Sequence, residues 1–231
     1  MSRHAIRWRF VLGEVAITTI GILIAVAVNA WWENRQDRRV ELEALREMRA
    51  GLTIDLGDLR EDLHRYRRVD RSTRLLLDRI HRGLPLEPGL DTVFGAQLIY
   101  RQHLGNSTAY ESLRSRGLGL IADDSLRLAV IDFYGLQNST IALWNGIDTR
   151  LVDQDVRPYF HAHFHLRAAS PTVPRAAVPL DPAAIARDPA FEGLLTTRQE
   201  TIGATIPNYE HAIAEGVRLE ALLDRRIAKL R

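Results

Sequence analysis

The stretch from Phe10 to Trp32 is a long apolar run of about 23 residues with arginines on both sides. A helix of about 20 such residues, rising about 1.5 Å per residue, crosses the hydrocarbon core of a bilayer. A cleaved signal peptide is the competing reading. Arg3, Arg7 and Arg9 make a basic leader, and Val28-Asn29-Ala30 resembles a small-residue cleavage motif. Leaders of that kind carry an apolar segment of about 7–15 residues, whereas this one is longer and holds Glu14. The sequence therefore predicts a basic tail over residues 1–9, a transmembrane helix over 10–32 and an extramembrane domain over 33–231. Trp31 and Trp32 stand where an interfacial aromatic anchor belongs.

Wound at about 100° per residue, the segment has two faces. Glu14, Thr18, Gly21, Ala25, Asn29 and Trp32 fall on one narrow stripe, with Ile20, Leu23 and Val26 opposite. Helices in lipid associate by close approach at small residues and by hydrogen bonds between polar ones. Gly21-x-x-x-Ala25 lies on the stripe, which is the expected self-association face. Glu14 has two readings. An ionisable group inside a membrane is a candidate ion or proton relay. It also lies about 6 Å inside the apolar boundary, close enough for anchoring or for an interhelical bond. Arginines flank both ends, and acidic residues weigh little in setting orientation. The short, purely basic tail favours a cytoplasmic N-terminus in a bacterial inner membrane, with the domain on the other side.

Residues 33–231 suffice for a domain with a real core. There is no cysteine, so disulfides and thiol chemistry are excluded. From Glu33 to Arg82 there is no proline, and Leu42, Leu45, Met48, Leu52, Leu56, Leu59, Leu63, Tyr66, Leu77 and Ile80 recur at helical spacing. This predicts a long amphipathic helix over 33–82, with Gly51 and Gly57 as candidate breaks. Its other face carries charges of alternating sign, as on a solvated helix. A turn is expected at Gly83–Gly89. Further helices are expected over about 91–103, 107–116, 124–156, 182–206 and 208–230, with Ile213, Val217, Leu222, Leu223 and Ile227 apolar on the last. Asp123 or Asp124 caps the third of these. Asp181-Pro and Asp188-Pro read as helix starts. A Pro/Ala-rich loop is expected over 167–181. The fold class is all-α: a single N-terminal transmembrane helix continuing into a long amphipathic helix and a helical-bundle domain.

Chemistry is sparsely signalled. His161, His163 and His165 form the one dense ligand cluster, with Asp153 and Asp155 upstream. On a strand all three imidazoles share a face, as a zinc or copper site needs; on a helix only His161 and His165 do. The competing reading is a polar corner after Pro158, so no metal or other cofactor is expected and the three histidines are weak candidates. There is no Gly-rich phosphate loop, nucleophile elbow or HExxH motif, and the chain reads as a non-enzyme. Lysine occurs once, so the positive charge is almost all arginine, interleaved with acids. Nucleic-acid binding is not expected.

Gly13-Glu14, Gly21-Ile-Leu-Ile-Ala25, Asn29 and Trp32 resemble the N-terminal signature of a bacterial single-pass membrane-protein family known as domain of unknown function six-thousand-and-ninety. Tyr110-Glu-Ser-Leu-Arg-Ser-Arg-Gly117, Leu120-Ile-Ala-Asp-Asp-Ser-Leu-Arg127 and Phe133-Tyr134 are similar to a second stretch of it, and Asp188-Pro-Ala-Phe191 is a looser match. The histidine cluster departs from that pattern, and the usual single tryptophan is doubled. The resemblance implies a single-pass membrane protein with a helical domain, and implies no activity.

The expected partners are the lipid bilayer and either further copies of the chain or another membrane protein. The leading expectation is a membrane-anchored interaction, sensor or scaffold module that self-associates through the stripe. The alternatives are a subunit of an ion-transport or energy-transducing complex using Glu14, and a metal-dependent enzyme using the histidines.

Overall fold

Two interlocking apolar repeats organise the chain. In the first, Leu45, Met48, Leu52, Asp55, Leu59, Asp62, Tyr66, Val69, Thr73 and Leu76 alternate steps of three and four residues, and all are buried. They belong to α1, Arg3–His81, a single helix of 79 residues, about 120 Å long at about 1.5 Å per residue. The second repeat includes Leu195, Arg198, Ile202, Thr205, Tyr209 and Ala212, all buried, on α8, Pro189–Leu230. Repeats of this kind interdigitate along a shared seam. The computed structural model describes residues 3–86, 89–100, 108–167 and 175–231; the side chains of residues 3–13 and 16 lie outside the described set.

Ion pairs across the α1–α8 seam show its antiparallel sense. Glu41 meets Arg226, Arg49 meets Glu220 and Asp224, Arg67 meets Glu210, and His81 meets Glu192. Apart from the buried Glu41, the members of these pairs are partly or fully exposed and add little energy each; the buried apolar seam holds the helices together. Neither Gly51 nor Gly57 breaks α1. A glycine in a helix costs about 1 kcal/mol, less than is gained by burying the flanking leucines. Pro207 likewise does not end α8, although separate helices over 182–206 and 208–230 were expected. Its ring is exposed. Burial of Ile202 and Thr205 on one side, and of Tyr209 and Ala212 on the other, outweighs a local cost of about 3 kcal/mol.

A third layer crosses this pair. It comprises α2 (Asp91–Ala96), α3 (Thr108–Arg116) and a continuous helical stretch of α4 (Asp124–Ile131), α5 (Asn138–Leu151) and α6 (Arg157–His163). Wider π turns at Asp132–Gln137 and Val152–Val156 join its three parts. Each π turn takes up an extra residue and re-aims the side chains that follow. The second one also lets the helix continue through Pro158, so the helix expected over 124–156 reaches His163. The helix expected over 91–103 ends at Ala96, and residues 101–103 lie outside the described set.

Where a Pro/Ala-rich loop was expected over 167–181, β1 (Phe164–Arg167) pairs antiparallel with β2 (Ala176–Pro179); residues 168–174 lie outside the described set. The hairpin closes a second core of Phe94, Phe160, Phe164 and Phe191 at the end of the bundle near His81. Gly95 permits this, because a Cβ there would stand 2.2 Å from the carbonyl oxygen of Arg175. A short α7, Pro182–Ile185, leads into α8. Asp123, Asp181 and Asp188 each cap the helix that follows by accepting backbone N–H bonds of 2.9–3.0 Å, as expected.

The chain is thus mostly helical. Among the described residues no helix is long and apolar enough to cross a membrane. The span expected over 10–32 includes residues 10–13 and 16, whose side chains lie outside them.

Gly216 is packed too tightly to carry a side chain. A Cβ there would stand 2.6 Å from Leu56 Cδ2 and 2.9 Å from Phe133 Cε2. Gly216→Ala is expected to destabilise the bundle by about 1–3 kcal/mol, read as a lower thermal midpoint at 222 nm. Gly57→Ala, where nothing lies within 4 Å, should leave the midpoint unchanged or slightly raised.

Candidate functional site

Two regions hold candidate functional residues: the stem of α1 that projects from the bundle, and the junction where it joins. The first buried residue of α1 is Glu41. Before it the described side chains from Glu14 to Arg39 are exposed, including every member of the stripe Glu14, Thr18, Gly21, Ala25, Asn29 and Trp32. The Thr18 hydroxyl donates to the Glu14 carbonyl at 2.9 Å, and the Asn29 amide donates to Glu33 Oε1 at 2.8 Å. These local bonds satisfy the smaller polar groups within the helix. The Glu14 carboxylate has no hydrogen-bond or ion-pair partner among the described residues. Trp31 lies under the Arg35 guanidinium, 5.6 Å from ring centroid to Cζ, a cation–π contact.

At the junction a groove of about 520 Å³ is lined by Asn34, Asp37, Arg38, Glu41, Leu120 and Arg226, with Gly119 and Ala122. Glu41 anchors its floor. Arg226 Nε and Nη2 donate to the two Glu41 oxygens at 2.8 Å each, and the Ala122 N–H donates to Oε1 at 3.3 Å. That pairing raises the Arg226 pKa, chiefly through the hydrogen bonds to Glu41.

Deeper in the bundle lies a polar network absent from the sequence-based expectations. Arg198 and Asp148 form an ion pair with side-chain exposures of 1% and 0%, and Arg198 Nη2 donates to the Ile99 carbonyl. The Tyr66 hydroxyl donates to Asn145 Oδ1 at 3.0 Å and lies 3.2 Å from Asp148 Oδ2. The Asn145 amide donates to the Tyr209 hydroxyl at 3.0 Å. Arg198 Nε and Thr149 Oγ1 are buried with no hydrogen-bond partner among the described residues. Burial pushes the Asp148 carboxyl up and pulls Arg198 down, and their mutual attraction opposes both shifts. Burial, then the Asp148 charge, raises the Tyr66 pKa, keeping its proton as a donor. The network ties α1, α5 and α8 together at one register. It offers no exposed nucleophile, and losing any one partner would leave a buried polar group unsatisfied. One signal for it was in the sequence: Arg198 and Thr205 occupy core positions of the α8 repeat.

The histidines do not converge. His161 and His163 end α6, and His165 lies in β1 opposite Val178. All three are exposed, and the His163 ring lies 4.3 Å from Tyr159. The backbone changes from helix to strand between His163 and His165, so neither the strand face nor the helix face exists across all three. Among the described residues no group of three or more His, Asp or Glu is placed to hold a metal ion. In α8, Val217 is 43% exposed rather than in the core, because the buried stripe runs through Ala212, Gly216 and Leu219.

Comparison with protein-family models, with curated proteins and with solved structures finds no match to the chain.

Removing one member of the buried pair leaves the other buried without its opposite charge, held only by neutral hydrogen bonds. Arg198→Met and Asp148→Asn are each expected to destabilise by about 3–5 kcal/mol, measured by urea unfolding. The double variant should lose clearly less than the sum. Additive losses would show that the two side chains act independently.

Proposed function

We propose that the chain is a single-pass, membrane-anchored helical interaction module, with residues 10–32 of α1 in the bilayer and the bundle outside it. The observation that carries this is the apolar stem. Ten large apolar side chains from Val15 to Trp32 are 55–74% exposed, with nothing among the described residues covering them. Burying a side chain of this size is worth about 1.5–3 kcal/mol, so leaving all ten in water forgoes a large stabilisation. Their exposure runs around the whole helix. A single coiled-coil partner covers one stripe, whereas lipid covers every side. The flanking arginines, the Trp31–Trp32 pair and the resemblance to a single-pass family support the same assignment, in a bacterial inner membrane with the N-terminus in the cytoplasm.

Within the bilayer the copies associate through the stripe. Gly21 has nothing within 4 Å of a built Cβ, which leaves the space a second helix needs at Gly21 and Ala25. Glu14, and the Asn29 carbonyl oxygen left free by its amide bond to Glu33, then supply hydrogen bonds between helices. Because α1 runs without a break from the stem into the core, a movement of the bundle is transmitted to the stem, as a sensor or scaffold requires.

A second reading rests on the Glu14 carboxylate, which has no partner among the described residues: Glu14 titrates during ion passage, alongside a partner that has more spans. Glu14→Gln then abolishes function while leaving assembly intact, and full activity in that variant ends this reading.

Two measurements test the leading proposal together. The chain should stay with membranes through alkaline carbonate extraction; release into the supernatant would rule out the anchor. Gly21→Leu combined with Ala25→Leu should lower crosslinked oligomers in membranes severalfold, and unchanged crosslinking would rule out the stripe as the interface.

A further inference from the structure

We infer that the groove at the junction of stem and bundle binds the headgroup of a zwitterionic ethanolamine phospholipid. This rests on the stem lying in the bilayer. Arg38 lies six positions after Trp32, about 9 Å along the helix. The headgroup layer of a bilayer is about 5–7 Å deep on each side. With Trp31 and Trp32 at the lipid boundary, Asn34 lies about 3 Å and Asp37 about 7.5 Å beyond it, at the outer edge of that layer, and because helical side chains lean toward the N-terminus the Arg38 side chain leans back toward it.

Its charges are divided between a closed floor and an open wall. On the floor Arg226 and Glu41 satisfy one another. On the wall Arg38 Nε donates to Asn34 Oδ1 at 3.2 Å, while its two Nη groups engage no partner among the described residues. The neighbouring Asp37 carboxylate also has no partner among them. The groove therefore presents one free guanidinium beside one free carboxylate. A phosphodiester accepts hydrogen bonds from the guanidinium, and a primary ammonium two carbons away donates to the carboxylate.

The same wall discriminates against other headgroups. A quaternary ammonium has no N–H to donate and is best held against aromatic faces; among the described residues no aromatic side chain lines the groove. A purely anionic headgroup leaves Asp37 facing negative charge. The groove, at about 520 Å³, is large enough for one headgroup.

The test uses the full chain in detergent micelles, titrated with dioleoyl phosphatidylethanolamine, phosphatidylcholine or phosphatidylglycerol and read by native mass spectrometry. Flotation with vesicles of phosphatidylethanolamine and phosphatidylglycerol runs in parallel. The ethanolamine lipid should bind about tenfold more tightly than the other two, the size expected for one hydrogen bond to a charged group. Asp37→Asn and Arg38→Gln should each abolish that preference with unchanged helicity and thermal midpoint. Equal binding of the three lipids, or a preference retained in both variants, would overturn the site while flotation persists. A chain that does not float with vesicles would overturn the anchor, and the lipid site with it.

Discussion

The antiparallel seam between α1 and α8 is the contact on which every other element depends. Both helices carry steps of three and four residues, so each presents a narrow buried face along much of its length. That match is what overrides the local breakers. Gly51, Gly57 and Pro207 are each unfavourable in a helix taken alone, yet neither helix ends at them. The third layer, with its two π turns, packs onto a surface that the seam has already formed. Gly216 is the point where all three approach, between Leu56 on α1 and Phe133 in the first π turn.

Within that seam the polar positions matter as much as the apolar ones. Asp55, Asp62, Thr73, Arg198 and Thr205 are all buried. A buried charge is costly unless it is paired, so the charged members, Asp55, Asp62 and Arg198, restrict which register the helices can adopt. Arg198 satisfies Asp148 and the Ile99 carbonyl together, and through Asp148 it meets Tyr66 and Asn145. A slip of one turn would leave Arg198 and Asp148 without one another. An apolar seam of equal length tolerates several registers; this one specifies a single one. The rigid bundle that results holds the junction groove and the stem in a fixed relation.

Much of the fold was legible in the residues. The α1 repeat, the absence of proline from Glu33 to Arg82 and the three aspartate caps are local patterns, and local patterns survive without knowledge of the partner. The misreadings share a physical cause. Pro158 and Pro207 read as boundaries because proline disfavours helix, but packing and a π turn absorb that cost. The β1–β2 hairpin was missed because each strand has four residues and forms only against the other and against Gly95. The three histidines looked like a cluster because they are close in sequence; a change from helix to strand separates their directions.

Taken alone, the sequence determined the long helix, its apolar stem, the caps and the dominance of helix, because these follow from spacing and composition within a few turns. Tertiary structure alone decided which charges are paired in the core, where the π turns fall and that a groove exists beside Asp37 and Arg38. Those features join residues up to 185 positions apart, as in Glu41 with Arg226. No periodicity within one segment encodes the position of a partner in another. It is settled only when apolar burial brings the two helices together and every enclosed charge must find its counterpart.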